Sequence, residues 1–357
     1  MADHSHIEWT DATWNPITGC SVVSPGCTNC YAMGLAGTRL KHHPSRAGLT
    51  RETKAGPVWT GEVRLNEQWL TQPLSWRKPR MIFVCAHGDL FHESVPDEWI
   101  DRVFAVMALA PQHTFQVLTK RSARMRAYLA ERGSRRRDRA DAVNVAAANM
   151  IMEGLIAPCK AVAWPLPNVW LGVSAEDQRH ADERVPDLLA SPAAVRFVSA
   201  EPLLGPIDFR AIDIGGDEEV LPLGGTWLGR PEYEDEYGGQ RLDWIIVGGE
   251  SGRRPMHPDW ARWIRDQCDG AGVPFFFKQW GTWAVSTIEA GGRLNPPLPV
   301  AGAKRWRRWD GMSFRSFGKD ELVESFFAPG VIAAPVGKKA AGRLLDGREH
   351  NALPVRP

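Results

Sequence analysis

A mixed α/β fold, a full or partial (β/α) barrel with an appended C-terminal segment, is the architecture these 357 residues predict. Three observations carry it. Six short apolar runs recur along the chain, amphipathic stretches separate them, and each run ends in polar or glycine residues that a barrel would gather at one rim. A doubly wound open sheet is the alternative arrangement of the same units.

The runs are "MIFVCAHGDLF" (81–91), "TFQVLTKR" (114–121), "NVWLGVSAE" (168–176), "VRFVSAEPLLG" (195–205), "DWIIVGGESG" (243–252) and "PFFFKQWG" (274–281). They are continuously apolar rather than alternating, the pattern of a parallel strand buried on both faces. A further first strand is expected around Asn15 to Gly19. Helices are expected over 96–110, 122–133, 181–191 and 258–272, so strand alternates with helix in repeated βαβ units. Residues 36–80 lack a clear period and read as an excursion. From 284 the chain turns Gly- and Pro-rich, with "KRWRRWDGMSFRSFG" (304–318) and "GKKAAGRLLDGREHNALP" (337–354), which predicts hairpins and a short helix serving as a lid. The expected division is a barrel over 1–283, including the excursion, and a C-terminal extension over 284–357.

The rim would hold His87, Gly88 and Asp89; Lys120 and Arg121; Ser174 and Glu176; Ser199 and Glu201; Gly248, Gly249, Glu250 and Ser251; and Lys278 and Gln279. Any one of these has a helix-capping alternative. Their recurrence at six successive strand ends is what points to a site. Glu201 and Glu250 would be partly desolvated there, which calls for a cation such as Lys278 within reach.

Forty-three Lys and Arg against 42 Asp and Glu leave a net charge of +1, so no global field steers the protein to nucleic acid. Basic surface must be local. The chain has 16 Trp, and "WLTQPLSWRKPR" (69–80) and "KRWRRW" (304–309) interleave them with cations that grip phosphates while the rings stack on bases. Trp packed inward with Arg facing water is the competing reading, and "SRRRDR" (134–139) reads as a solvated loop or helix end. No uninterrupted apolar run of about 18 residues occurs and no basic, then apolar, leader opens the chain, so a cytoplasmic location without a membrane partner is expected.

The stretch "WNPITGCSVVSPGCTNCYAMGL" (14–35) places Cys20, Cys27 and Cys30 within eleven residues, while Cys85, Cys159 and Cys268 stand singly. That is not a disulfide framework. Structural zinc usually takes four protein ligands, and no second Cys-x2-Cys or His-x3-His set accompanies these three. Three thiolates suit a [4Fe-4S] cluster with one iron left open. A redox or zinc pair made of Cys27 and Cys30 alone is the competing reading, and Cys85 reads as a packed core thiol.

The segments "IEWTDATWNPITGCSVVSPGCTNCYA", "FVCAHGDLFHE", "VLTKR", "VWLGVSAEDQRHADERVPDLL", "RFVSAEPLLGPID", "DWIIVGGESG", "RPMHPDW", "GVPFFFKQWGTW" and "GKKAAGRLLDGRE" together resemble a phage-associated three-Cys-motif family of unknown function related to the radical S-adenosylmethionine (SAM) superfamily. The superfamily spacing is Cys-x3-Cys-x2-Cys after the first barrel strand. Here the first gap is six residues, and Asn29 stands where an aromatic usually precedes the third cysteine, with Tyr31 after it. The resemblance implies a barrel of the radical SAM type, a [4Fe-4S] cluster on Cys20, Cys27 and Cys30, and SAM near Gly88 and Asp89. Further cofactor contacts would come from Ser174, Glu176, Gly248, Gly249 and Ser251. It implies reductive cleavage of SAM to a 5′-deoxyadenosyl radical, fed by a donor such as a flavodoxin or ferredoxin. Glu201, Glu250, Lys278 and Gln279 are the candidate catalytic residues toward a nucleic acid or nucleotide. A non-catalytic, metal-stabilised nucleic-acid-binding or sensor protein and a zinc-dependent hydrolytic barrel using Asp89, Glu201, Glu250 and Lys278 are the alternatives.

Overall fold

The computed structural model describes residues 5–130, 137–155, 164–216, 218–228, 239–289, 293–298, 306–317 and 330–355. Cys159, the run 134–136 and Lys304 lie outside them. Seven parallel strands form the central sheet: β1 (Ala12–Trp14), β2 (Met81–Val84), β3 (Thr114–Thr119), β4 (Val169–Ser174), β5 (Val195–Ala200), β6 (Trp244–Gly248) and β7 (Phe275–Gln279). They lie side by side in chain order and curl into a half-barrel. Strand order never reverses, so the doubly wound alternative is replaced by the partial barrel.

Helix α1 (Tyr31–Gly37) follows the cysteine loop, and α2 (Asp97–Ala108), α3 (Ser122–Leu129), α4 (Arg137–Met152), α5 (Gln178–Leu189) and α6 (Pro258–Ala271) pack on the outer face. The helix expected over 122–133 ends at Leu129, and α4 was not anticipated. The first strand also differs from the expectation around Asn15 to Gly19. The ladder with β2 runs over Ala12–Trp14, and Ile17–Thr18 instead pairs antiparallel with Arg64–Leu65. Pro16 has no N–H to donate, so the chain leaves the sheet before it.

Burial on both faces explains the continuous apolar runs. In β6, Ile245 and Val247 face the helix layer while Trp244 and Ile246 face the concave interior. In β2, Ile82 and Val84 point outward and Met81 and Phe83 inward. The interior is strongly aromatic. The Trp244 ring meets Trp170 at 6.1 Å, Phe197 at 5.8 Å and Phe276 at 5.9 Å, each such pair adding about 0.5–1.5 kcal/mol beyond area burial. These rings fill the concave side of the sheet below the cavity at the C-terminal rim.

The excursion contains a hairpin, Thr50–Thr53 with Gly56–Trp59, which packs against α1. A small antiparallel sheet, Ile212–Gly215, Glu218–Leu221 and Thr226–Leu228, interrupts the passage from β5 to β6. The C-terminal extension forms a five-stranded antiparallel sheet from β8 (Trp283–Ile288), β9 (Leu294–Asn295), β10 (Trp306–Trp309), β11 (Phe314–Phe317) and β12 (Gly330–Pro335). One helical turn, Lys338–Ala341, follows. The tail then covers the free edge of β7, where the Phe277 N–H donates to the His350 carbonyl at 2.9 Å and the Trp244 indole to the Ala352 carbonyl at 2.9 Å. Among the described residues no helix is long and apolar enough to cross a membrane.

Candidate functional site

The cysteine loop lies across the C-terminal rim, and several strand ends hold it. Gly19 bridges Gly88 beyond β2, its N–H donating to the His87 carbonyl at 3.2 Å. Gly19 has φ +98°, and a Cβ there would meet the Glu62 carbonyl at 2.1 Å, so the turn requires glycine. Ser21 receives the Arg121 guanidinium at 2.7 Å from beyond β3 and meets His92 Nε2 at 3.0 Å. From the end of β4, the Glu176 carboxylate accepts from the Ser24 hydroxyl and, at 3.3 Å, from the Gly26 N–H. A Cβ on Gly26 would lie 2.5 Å from that carboxylate. Beyond β6, Arg254 donates to the Pro25 carbonyl at 2.9 Å, and the Tyr31 hydroxyl donates to the Ala86 carbonyl at 2.7 Å.

So anchored, Cys20, Cys27 and Cys30 all line one cavity of about 490 Å³. Cys27 lies within electrostatic range of the other two. Burial pushes the Cys20 thiol up to about 12, partly offset by the Arg121 cation 3.5 Å from its sulfur. Burial also raises Cys30, opposed by the Ala32 and Met33 N–H groups at the start of α1 and by the Trp59 indole. The thiolate is the ligating form, so burial works against it at Cys20 and Cys30, and a bound cation would favour it. Among the described residues, no three His, Cys, Asp or Glu side chains converge tightly enough to hold a single metal ion. Cys85 is buried and also lines the cavity, with φ +56° at the end of β2.

Most of the expected rim residues face this cavity: Gly88, Asp89, Ser174, Glu201, Gly249, Glu250, Ser251, Lys278 and Gln279. His87, Gly248 and Glu176 do not. Gly248 offers its carbonyl to the Leu203 N–H at 2.9 Å. Glu176 is fully buried between Arg184 at 2.8 Å and Lys120 at 3.2 Å. Burial would raise its carboxyl, but those cations and the Ser24 hydroxyl outweigh it and hold it down at about 2. Asp89 faces the cavity yet is fully engaged, accepting from Thr119 at 2.7 Å, the Phe91 N–H at 3.0 Å, Arg121 at 3.0 Å and the Lys120 N–H at 3.3 Å. Both carboxylates therefore build the rim.

Lys278 grips both oxygens of Glu201, at 2.8 and 2.7 Å, and Gln279 donates to the same carboxylate at 3.2 Å. Glu250 has a different cation, Arg254, whose Nε lies 3.1 Å from one oxygen. The hydroxyls of Ser174 and Ser199, adjacent in the β4–β5 register, line the cavity without a partner among the described residues. Of the extension, Lys338 lines the cavity and reaches Glu8 at 3.4 Å; just before the extension, the Trp283 indole donates to the Gly252 carbonyl at 3.0 Å. Arg184, Arg254 and Ser24 escaped the sequence reading.

Fold and site together define a mixed α/β half-barrel protein whose rim cavity is lined by four free thiols, three of them from one loop. The chain belongs to the family described as "Protein of unknown function (DUF5131)", whose model matches residues 4–354. No curated protein and no solved structure matches it.

Proposed function

We propose that the protein is an iron-sulfur enzyme of the radical SAM type acting on a nucleic acid or nucleotide. The observation that carries this is the convergence of Cys20, Cys27 and Cys30 on one rim cavity of a parallel half-barrel, with polar strand ends as its other wall. The donor set fits an iron-sulfur cluster. All three donors are soft sulfurs and they share one cavity, the donor chemistry that such a cluster takes. Cys20, Cys27 and Cys30 would hold the cluster. When bound, cluster and SAM supply one-electron cleavage of the sulfonium and a carbon-centred oxidant for a substrate C–H bond.

The chain's own residues then have separable tasks. Ser174, Ser199 and Ser251 are the hydroxyls open to a polar ligand. The Glu201–Lys278 pair, with Gln279 fixed beside it, gives the opposite wall an oriented donor and acceptor set for a polar substrate group. Lys338, Glu8 and the N-terminal residues around Trp9 border the side of the cavity and limit water entry. Support for a nucleic acid or nucleotide is the pair of aromatic surfaces, Tyr31 and Trp59, on the cavity wall, which offer rings for base stacking beside Lys120, Lys278 and Lys338, each of them paired with a carboxylate.

A metal-stabilised binding or sensor protein is the second reading. The engagement of Asp89 and Glu176 in holding the cysteine loop favours it, because those acids serve structure. The deciding assay is anaerobic reconstitution with iron and sulfide, followed by SAM and a strong reductant. The enzyme reading expects 5′-deoxyadenosine and methionine to accumulate. A fully loaded protein that leaves SAM intact supports the second reading instead.

A further inference from the structure

Arg121 is the cation nearest to any of the three clustered thiols. It follows β3, and its guanidinium is almost wholly buried. Nη1 points at the Cys20 sulfur at 3.5 Å and also meets Asp89 at 3.0 Å, and Nη2 donates to the Ser21 hydroxyl at 2.7 Å. Nε lies 2.8 and 2.9 Å from the two oxygens of Glu93. The two acids differ in setting. Asp89 is buried, whereas the Glu93 side chain is 62% exposed. Burial opposes the charge on Arg121, but Asp89, Cys20 and Glu93 together hold the guanidinium more firmly protonated than usual.

Resting on the iron-sulfur reading above, the geometry points to Arg121 and Glu93 as a charge pair that sets the reduction potential of the centre ligated by Cys20. Neither is a catalytic residue; both act through the Cys20 sulfur. One electron delivered by an external donor adds one negative charge to the centre. An N–H donor and a positive charge at a ligating sulfur favour the reduced form and raise the potential, and a compensating carboxylate draws that charge away and lowers it. The pair therefore makes two predictions of opposite sign. Arg121→Gln moves the potential to more negative values. Glu93→Gln, which leaves Arg121 with one anion fewer, moves it to more positive values.

The experiment is an anaerobic redox titration, with dithionite and mediator dyes, of the reconstituted full-length protein, its Arg121→Gln, Arg121→Lys and Glu93→Gln variants, each assayed for iron and acid-labile sulfide. The expected result is wild-type iron content in Glu93→Gln with a positive shift, a negative shift in Arg121→Gln, and a smaller negative shift in Arg121→Lys, which keeps the charge but loses the fork. Equal potentials at equal iron content overturn the inference, as do shifts of the same sign in Arg121→Gln and Glu93→Gln. Loss of iron from both Arg121 variants with no shift in Glu93→Gln also overturns it, leaving Arg121 as a brace for the loop. Wild-type protein that assembles no cluster defeats the underlying iron-sulfur reading, a result distinguishable from the others.

Discussion

Glu176 and Ser24, 152 residues apart in sequence, share a buried hydrogen bond that ties the end of β4 to the middle of the cysteine loop. Two cations stand behind the carboxylate, Arg184 at 2.8 Å and Lys120 at 3.2 Å. A buried carboxylate with that many partners anchors the loop, and the thiols on either side of Ser24 inherit its rigidity. Glu176→Gln should therefore destabilise the protein by about 3–5 kcal/mol, because it strands two buried cations. Denaturant unfolding measures the loss, and the thiols of Cys20 and Cys27 should react faster with a thiol reagent under native conditions. Unchanged stability with unchanged thiol reactivity would contradict this role.

Glu201 and Lys278 form a mostly buried pair whose side chains are 19% and 13% exposed. Removing one partner leaves the other uncompensated, so Lys278→Met should cost on the order of 3 kcal/mol. The double variant Glu201→Gln/Lys278→Met should recover much of that loss, since a neutral pair carries no stranded charge. Additive single and double losses in chemical denaturation would show that the two residues do not act as a unit.

Acid should weaken the fold in two overlapping stages. Burial, helped by the Arg46 cation, lowers His87 from the ordinary 6.5 to about 4. Between those values the unfolded chain binds a proton that the folded chain refuses, so stability falls as pH falls from 6.5 toward 4. His92, His113, His257 and His350 are lowered by burial too and act with the same sign. Glu176, held at about 2 against an ordinary 4.5, extends the loss over the window from 4.5 down to about 2. Melting temperature measured against pH should decline through 6.5 to 4 and continue down below 4.5. A flat or rising profile between 6.5 and 4 would contradict the assignment.

Much of this architecture was legible because its signals are local. Strands β2 to β7 are continuously apolar since each faces helices on one side and the aromatic interior on the other, a pattern visible in "DWIIVGG" without any partner. The sheet Ile212–Leu228 was missed because its strands are three or four residues long and broken by glycines. Helix α4 was missed for another reason: "RDRADAVNVAAANMIM" is Ala-rich with little contrast between faces, so propensity, not periodicity, was the signal. At the site, strand-end position placed Asp89, Glu201 and Lys278 on the cavity and anticipated Lys278 as the cation for Glu201, but it gave no partner peculiar to Glu250 or Glu176. Glu250 binds Arg254 rather than Lys278, and Glu176 is claimed by Arg184 from inside α5. Such choices depend on side-chain reach in three dimensions.

Trp244 joins the aromatic interior to the C-terminal tail through its indole donation to Ala352. Trp244→Phe keeps an aromatic ring but loses that bond and leaves a cavity among the rings it packs on, and should cost about 2–3 kcal/mol in global stability. Hydrogen exchange should speed up at the Phe277 amide, whose acceptor is the His350 carbonyl in the same tail. Protection at Phe277 equal to the parent's would mean that the tail docks independently of Trp244.

The central claim is that Cys20, Cys27 and Cys30 jointly ligate one iron-sulfur cluster, and metal analysis tests it most directly. Protein reconstituted anaerobically, and its Cys20→Ala, Cys27→Ala, Cys30→Ala and Cys85→Ser variants, should be assayed side by side for iron, acid-labile sulfide and zinc. The account predicts about four irons and four sulfides per parent chain, retention of both in Cys85→Ser, and loss of most of both in each alanine variant while the barrel stays folded. Stoichiometric zinc without sulfide in the parent, or a full cluster surviving any of the three alanine substitutions, would contradict it.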